Sequence, residues 1–270
     1  EFDTYSMQSR ENRVKMVPLP PRRGIIYDRN GIILADNTPS FQLVVTPEQV
    51  DDMALTVAQL QEIIEIDERR LNDFHQSVKS NPRFVGIPIK FQLSESEVAA
   101  FAINRHRFPG VDVTAHIARR YPNKELASHA IGYVARINEE ELRRYDPTNY
   151  KGTSHVGKAG VEKYYEKLLH GQVGFEQVEV NAVGRVIRTL KRTPPIPGQN
   201  LYLTIDAKLQ QAAESAMGEF YGSIIAIDPS NGEILAFVSR PGFDPNEFVS
   251  GLSTKRYKAL FQNKFRPMYN

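Results

Sequence analysis

The sequence predicts an α+β fold: β-hairpins and short strands with a helical head, followed by a segment that opens strand, helix, strand, strand. Three observations predict it. Asn30-Gly31 and Asn231-Gly232 each sit between two short apolar runs, the pairing that supplies positive φ to a tight hairpin turn. Between these turns, several stretches carry the three- and four-residue apolar spacing of helices. Lys191–Asn200, "KRTPPIPGQN", holds three prolines and a glycine, which disfavours helix and central strand alike and marks a boundary.

The elements follow in order. "VPLPPRR" favours an extended arm, because each proline fixes φ and removes a donor. "RRGIIYDRNGIILADN" reads as a hairpin, and Ser40–Val45, "SFQLVV", as a further strand. Pro47 to about Ile66 reads as one helix, with proline in the first turn and apolar residues from Val50 to Ile64 at helical spacing. "LSESEVAAFAINRH" is a second helix, opened by the capping-box pair Ser94 and Glu97. "GVDVTAHIARRY" alternates like a strand. "KELASHAIGYV" and "NEEELRRY" look like short helical pieces. "GVEKYYEKLLHG" reads as one helix with Val161, Tyr164, Tyr165, Leu168 and Leu169 on its apolar face and Gly171 as the C-terminal cap. "GFEQVEVNAVGRVIRTL" is extended. After the boundary, "LYLTID" is a strand and Asp206 caps a helix whose apolar stripe is Leu209, Ala212, Ala213, Ala216 and Met217. "SIIAID" and "EILAFV" then flank the second hairpin turn.

Composition narrows the function. The chain has 270 residues, 41% hydrophobic and 24% charged, with a net charge of +2. That balance is ordinary for a folded domain and lacks the strong basic excess of a nucleic-acid binder. There is no cysteine, which removes disulfides, thiolate metal sites and cysteine nucleophiles together. No apolar run approaches the roughly 18 residues of a membrane span.

"GTSHVGK", Gly152–Lys158, has the glycine and lysine spacing of a phosphate-binding loop, but Ala159 stands where the magnesium-binding hydroxyl belongs. Ser154 and His155 are adjacent, and sequence neighbours seldom face each other as nucleophile and base. No G-x-S-x-G elbow occurs. His106 and His116 are too far apart in sequence for a compact metal-ligand pair, and no H-E-x-x-H or calcium-loop spacing is present. From the residues alone no complete active site emerges, and no cofactor or metal is expected.

Several stretches together resemble the class B penicillin-binding proteins. "RGIIYDRNGIILA" (Arg23–Ala35) resembles the family's first signature, and "RRYP" with "ASHAIGYV" (Arg119–Val134) the second. "GKAGVEKYYEKLLHG" with "EVNAVGR" (Gly157–Arg185) resembles the third. "LTIDAKLQQAAE" and "IIAIDPSNGEILAFVSRPGFDPNEF" resemble the opening of the transpeptidase domain. The order is the family's across nearly the whole chain, and the arm and "FDPNEFVSGLS" are most similar to the elongation-specific branch.

The resemblance implies a non-catalytic pedestal over residues 1–198, with a head subdomain at about 47–118. Residues 199–270 would open a penicillin-binding transpeptidase α/β sandwich. It implies a single-pass anchor upstream, a periplasmic location at the inner membrane, and a serine D,D-transpeptidase that cross-links stem peptides and is acylated by β-lactams. Such chemistry needs S-x-x-K, S-x-N and K-T-G elements, and none occurs in this sequence; the nucleophile would lie beyond Asn270. No catalytic residue is therefore assigned. The implied partners are the scaffold protein MreC and the membrane glycosyltransferase RodA, with stem peptides and β-lactams reached through the transpeptidase part. A structural polar junction is expected among the three signatures, from Arg23, Asp28, Arg29, Arg120, Glu162, Asn181 and Arg185, with Gly31, Gly160 and Gly184 allowing turns or close approach. The competing reading is a set of ordinary surface ion pairs.

Overall fold

In the computed structural model, strands and helices alternate irregularly along the chain, and residues 14–181 and 186–269 are described. The order is β1 (Val14–Leu19), β2 (Ile26–Tyr27), β3 (Ile33–Val45), α1 (Met53–Ile63), α2 (Glu68–Ser80), β4 (Ile87–Lys90), α3 (Glu95–Asn104) and β5 (Val111–Arg120). Then come α4 (Ser128–Ile131), β6 (Val134–Arg136), α5 (Glu139–Leu142), β7 (His155–Gly157), α6 (Gly160–Tyr164) and α7 (Glu166–His170). The last are β8 (Gly174–Val180), β9 (Val186–Thr193), β10 (Leu201–Tyr202), α8 (Ala207–Met217), β11 (Gly222–Ile227), β12 (Ile234–Arg240), α9 (Asn246–Ser250) and α10 (Thr254–Phe261).

The chain forms two compact units, each built from separated segments. The first takes residues up to Pro20, Pro39–His116 and Val173–Pro195. Its core gathers Leu43, Val57, Leu60, Phe74, Ile89, Phe101 and Phe108, all buried. Antiparallel pairing of Leu43–Val45 with Ile87–Lys90 lays a strand pair beneath α1, α2 and α3. A three-stranded antiparallel sheet, β1-β8-β9, belongs to the same unit.

Two sequence expectations change here and one holds. The helix expected from Pro47 to Ile66 is a 3-10 turn at Pro47–Gln49 and a separate α1. Asp52 sits in extended backbone and accepts from Leu55 N–H, so it starts a new helix where a continuous one was expected. The following α2 was not foreseen; only Phe74 along it is fully buried, so its apolar signal is thin. The capping box at α3 forms in both directions, Ser94 to Glu97 and back.

The second unit takes Pro21–Thr38, Ile117–Gln172 and Ile196 onward. Its larger core includes Ile26, Leu34, Tyr121, Ile131, Leu169 and Ile205, and a smaller one centres on Phe243, Phe248 and Leu260. Both Asn-Gly hairpins form. Gly31 has φ +84° and Gly232 +77°, the left-handed region that glycine occupies at low cost. The strand expected over "LYLTID" is only two residues, pairing parallel with β2.

Two helix faces also differ from the expectation. The 160–170 helix breaks at Tyr165 into α6 and α7. Its buried side chains are Glu162, Glu166, Leu169 and His170, while Tyr164 is 83% exposed. In α8 the buried residues are Ala207 and Gln210, and Leu209 of the expected apolar stripe is exposed. Gln210 replaces a strand neighbour: it donates to Phe237 O at 2.9 Å and accepts from Phe237 N at 2.7 Å.

Candidate functional site

The most concentrated chemistry in the second unit is a buried charge cluster. α6 and α7 place Glu162 and Glu166 one turn apart, so both carboxylates face the same way. Two guanidinium groups meet them, Arg23 from the segment before β2 and Arg119 from the end of β5. Arg23 Nε donates to Glu162 Oε2 at 2.7 Å, and its Nη2 donates to Glu166 Oε2 at 2.6 Å. The same Nη2 donates to the Glu162 carbonyl at 2.9 Å. Arg119 Nε donates to Glu162 Oε1 at 2.7 Å, and its Nη1 donates to the Gly24 carbonyl at 2.7 Å. The Arg119 and Glu162 side chains are 2% and 0% exposed, so this is an interior ion pair of the kind whose desolvation must be offset by close, well-directed bonds.

Neutral donors complete the shell. Tyr121 OH donates to Glu162 Oε1 at 3.1 Å and accepts from Val134 N–H at 3.0 Å. Tyr150 OH donates to Glu166 Oε1 at 3.2 Å, and Gly157 N–H donates to Glu166 Oε2 at 2.8 Å. Gly157 cannot carry a side chain there, since a Cβ would lie 2.1 Å from the Glu162 carbonyl oxygen. Burial alone would raise the Glu162 carboxyl, but Arg23 and Arg119 overcome it and hold it below the usual range. For Arg23, burial would ease proton loss, and Glu162 and Glu166 reverse that, raising it further. Tyr121 and Tyr150 are pushed up by burial and by the neighbouring carboxylates.

His170 closes the edge of the cluster. Its ring stacks on Tyr150 with centroids 4.1 Å apart, and Tyr150 stacks on Tyr145 at 4.4 Å. Nδ1 lies 3.3 Å from the Gly171 carbonyl and Nε2 lies 2.8 Å from Thr153 Oγ1. A carbonyl only accepts, so Nδ1 carries the hydrogen and Nε2 accepts from the threonine hydroxyl. Burial lowers this imidazole below its ordinary value.

Every carboxylate oxygen of the cluster is occupied by a donor. Both carboxylates are thus engaged in fixed bonds to the protein's own donors. The cluster ties chain segments together and has no catalytic geometry. Among the described residues, no group of three or more His, Asp or Glu side chains could hold a metal ion.

The expected junction residues divide among several places. Arg23 and Glu162 meet directly. Arg120 pairs instead with Asp36, Nε to Oδ1 at 2.8 Å, and its neighbour Arg119 occupies the cluster; alternation along β5 sends adjacent side chains to opposite faces. Asp28, fully buried, shapes the first hairpin: Oδ1 accepts from Asn30 N at 2.8 Å and Ile32 N at 2.7 Å. Its Oδ2 accepts from Ala207 N at 3.0 Å, so Asp28 and the N-cap Asp206 together satisfy the first turn of α8. Arg29 pairs with Glu233 at 3.3 Å across a partly exposed surface. Gly31 turns the hairpin. Gly160, with φ +57°, packs so closely that a Cβ would lie 2.5 Å from Ala130 O. Asn181 is exposed and belongs to the first unit. Gly184 and Arg185 lie outside the described residues. Sequence reasoning missed Arg119, Glu166, Tyr121 and Tyr150; the one available signal was the four-residue spacing of Glu162 and Glu166.

Ser154 and His155 do touch, contrary to the expectation for sequence neighbours: Oγ lies 2.8 Å from Nδ1. His155 Nε2 donates to the Val249 carbonyl at 3.1 Å. The "GTSHVGK" stretch contains β7, paired with β6, and Lys158 bonds Glu141; it is not a phosphate cradle.

Within the second unit, a buried arginine–glutamate cluster thus ties together separated segments of an α/β body. The chain belongs to the Penicillin-binding Protein dimerisation domain family, which matches residues 18–203. It is 44% identical over 273 residues to the peptidoglycan D,D-transpeptidase MrdA of Escherichia coli (strain K12), covering 100% of this chain and 43% of that protein. Penicillin-binding protein 3 of Bacillus subtilis (strain 168) is 33% identical, over 95% of this chain and 38% of that protein. The chain thus spans less than half the length of these curated relatives. Among solved structures it resembles the Helicobacter pylori complex between penicillin-binding protein PBP2 and MreC, with TM-score 0.75 and 28% identity, over 95% of this chain and 48% of that one. It also resembles Pseudomonas aeruginosa PBP2 in complex with WCK 5153, with TM-score 0.59 and 36% identity, over 95% of this chain and 37% of that one.

Proposed function

We propose that this chain is chiefly the non-catalytic pedestal of a peptidoglycan D,D-transpeptidase that cross-links stem peptides during wall elongation. Residues 1–198 are the pedestal, with a head at about 47–118, and residues 199–270 open the transpeptidase domain. The observation that carries this reading is the match to MrdA along all of the chain at 44% identity. The polar cluster supports it, since saturated, buried ion pairs make a rigid support and not a reactive centre. This chain supplies no nucleophile, because S-x-x-K, S-x-N and K-T-G are absent here, and it spans only 43% of MrdA. The protein stands at the periplasmic face of the inner membrane, held by an anchor upstream; among the described residues no helix is long and apolar enough to cross a membrane.

Labelling with a fluorescent penicillin tests the division of labour. The chain ending at Asn270 stays unlabelled, while a longer protein containing it and the three motifs is labelled. Covalent labelling of the chain ending at Asn270 would refute the proposal.

A second role is docking. The Helicobacter pylori neighbour is a complex with MreC, which supports MreC as a partner of this pedestal. RodA is a partner by family resemblance alone. Pull-down of MreC with and without the head tests the first; retained binding by the headless protein counts against the head as its site.

A further inference from the structure

The segment Tyr121–Ser128, in the second unit, is clamped at both ends. The Asn246 side chain accepts from Tyr121 N–H and donates to Tyr121 O, each at 2.9 Å. Glu214 Oε1 accepts from Ala127 N–H at 2.9 Å and from Gln210 Nε2 at 2.8 Å. Between the clamps, Lys124 and Ala127 are held at φ +50° and +53°, a conformation that non-glycine residues keep only where surroundings enforce it. The segment is therefore preorganised.

Its residues line a cavity of about 360 Å³ together with Gln211 and Ser215 of α8 and Arg240. That volume falls within the roughly 300–1,000 Å³ typical of small-ligand sites. The charges lining it are used unequally. Glu214 spends one oxygen on the clamp. Asp244 Oδ1 accepts from Asn246 N at 2.9 Å and Nδ2 at 2.8 Å. Glu125 and Asp244 both act electrostatically on Arg256. The side chains of Lys124 and Arg240, in contrast, make no hydrogen bond or ion pair among the described residues. The acids work inward and the two cations are left over.

We infer that this cavity binds a short peptide ending in a free carboxylate. Lys124 and Arg240 receive the carboxylate, Arg240 offering a planar fork of donors. Gln211, Ser215 and the remaining oxygens of Glu125 and Glu214 take the peptide's amides. The three acids disfavour a doubly charged phosphate, whereas a singly charged terminus beside peptide N–H groups matches both signs. The chemistry suits a D-amino-acid peptide of the cell wall or the C-terminus of an ordinary L-protein equally. The carboxylate site rests on the cavity alone, and the D-peptide source rests on the transpeptidase reading.

Calorimetric titration of the 270-residue chain tests it with three probes: diacetyl-Lys-D-Ala-D-Ala, its all-L isomer, and the D,D peptide as C-terminal amide. Saturable 1:1 binding of either acid is expected, with the amide weaker by about fivefold or more, the loss of charged hydrogen bonds. Lys124→Gln and Arg240→Gln should each weaken the acid about as much, and Arg240→Lys less, with unchanged melting temperatures for Lys124→Gln, which alters an exposed side chain. The preferred isomer identifies the source. Equal binding of acid and amide, unchanged affinity in Lys124→Gln, or no binding of either acid at millimolar concentration would overturn the assignment.

Discussion

Replacing Glu162 with Gln isolates what the buried cluster contributes. The carboxylate is fully buried and receives Arg23 Nε and Arg119 Nε, each at 2.7 Å, and Tyr121 OH at 3.1 Å. Glutamine keeps the shape and loses the charge. Its single carbonyl oxygen can serve one arginine; its NH2 then faces the N–H of the other. Arg23 retains Glu166 at 2.6 Å, but Arg119, 2% exposed, has no second carboxylate among its bonds. Removing one partner of a buried pair in this way costs about 3–5 kcal/mol, which for a chain of this size is roughly a 6–20 °C fall in melting temperature. Urea unfolding measures the loss, and hydrogen exchange over residues 160–170 shows that it originates there. In Arg119→Met/Glu162→Leu the two losses should be strongly non-additive, since neither charge is left stranded. A loss below about 1 kcal/mol for Glu162→Gln would mean the cluster behaves like a surface ion pair and would refute the reasoning.

Three further outcomes are expected. His116, His129 and His170 all lie below their ordinary values because burial disfavours the charged ring. The unfolded chain therefore binds more protons as pH drops through about 6.5, and stability falls below that point and not above it; urea midpoints between pH 8 and 5 measure this, and His170→Gln should flatten the slope. The Glu162 contribution lies lower on the pH axis. Its folded value is depressed, so its stabilisation is present above about pH 4.3 and disappears as pH falls further, and Glu162→Gln should remove that acid limb. Gly198→Ala should prevent soluble folding, because its Cβ would lie 1.8 Å from Leu169 O, whereas at Gly31 nothing lies within 4 Å and alanine should cost only the roughly 1–2 kcal/mol of a left-handed residue; expression and melting of the two variants compare them.

Much of the local structure was legible because its causes are local. Asn-Gly turns, the Ser94–Glu97 capping box and the Asp206 cap depend on a few adjacent residues and form as expected. The charged hairpin Arg22–Asn37 was recognised as more than a turn. Its individual charges, however, serve different ends: Arg23 enters the cluster, Asp28 organises the turn and the start of α8, Arg29 reaches Glu233, and Asp36 holds Arg120. Sequence spacing cannot sort them, since their long-range partners lie 84 to 204 residues away.

By itself, then, the sequence determined the α+β class, both hairpins, the helix starts at Ser94 and Asp206 and the family, through local propensity and ordered motifs. Only the tertiary structure decided which face of each helix is buried. Helical spacing in "GVEKYYEKLLHG" argues for burying tyrosines and leucines, yet Glu162 and Glu166 go inside and Tyr164 stays out. The reason is physical: a buried carboxylate is costly alone and tolerable beside buried guanidinium groups, and Arg23 and Arg119 reach that point only after the chain has folded back on itself.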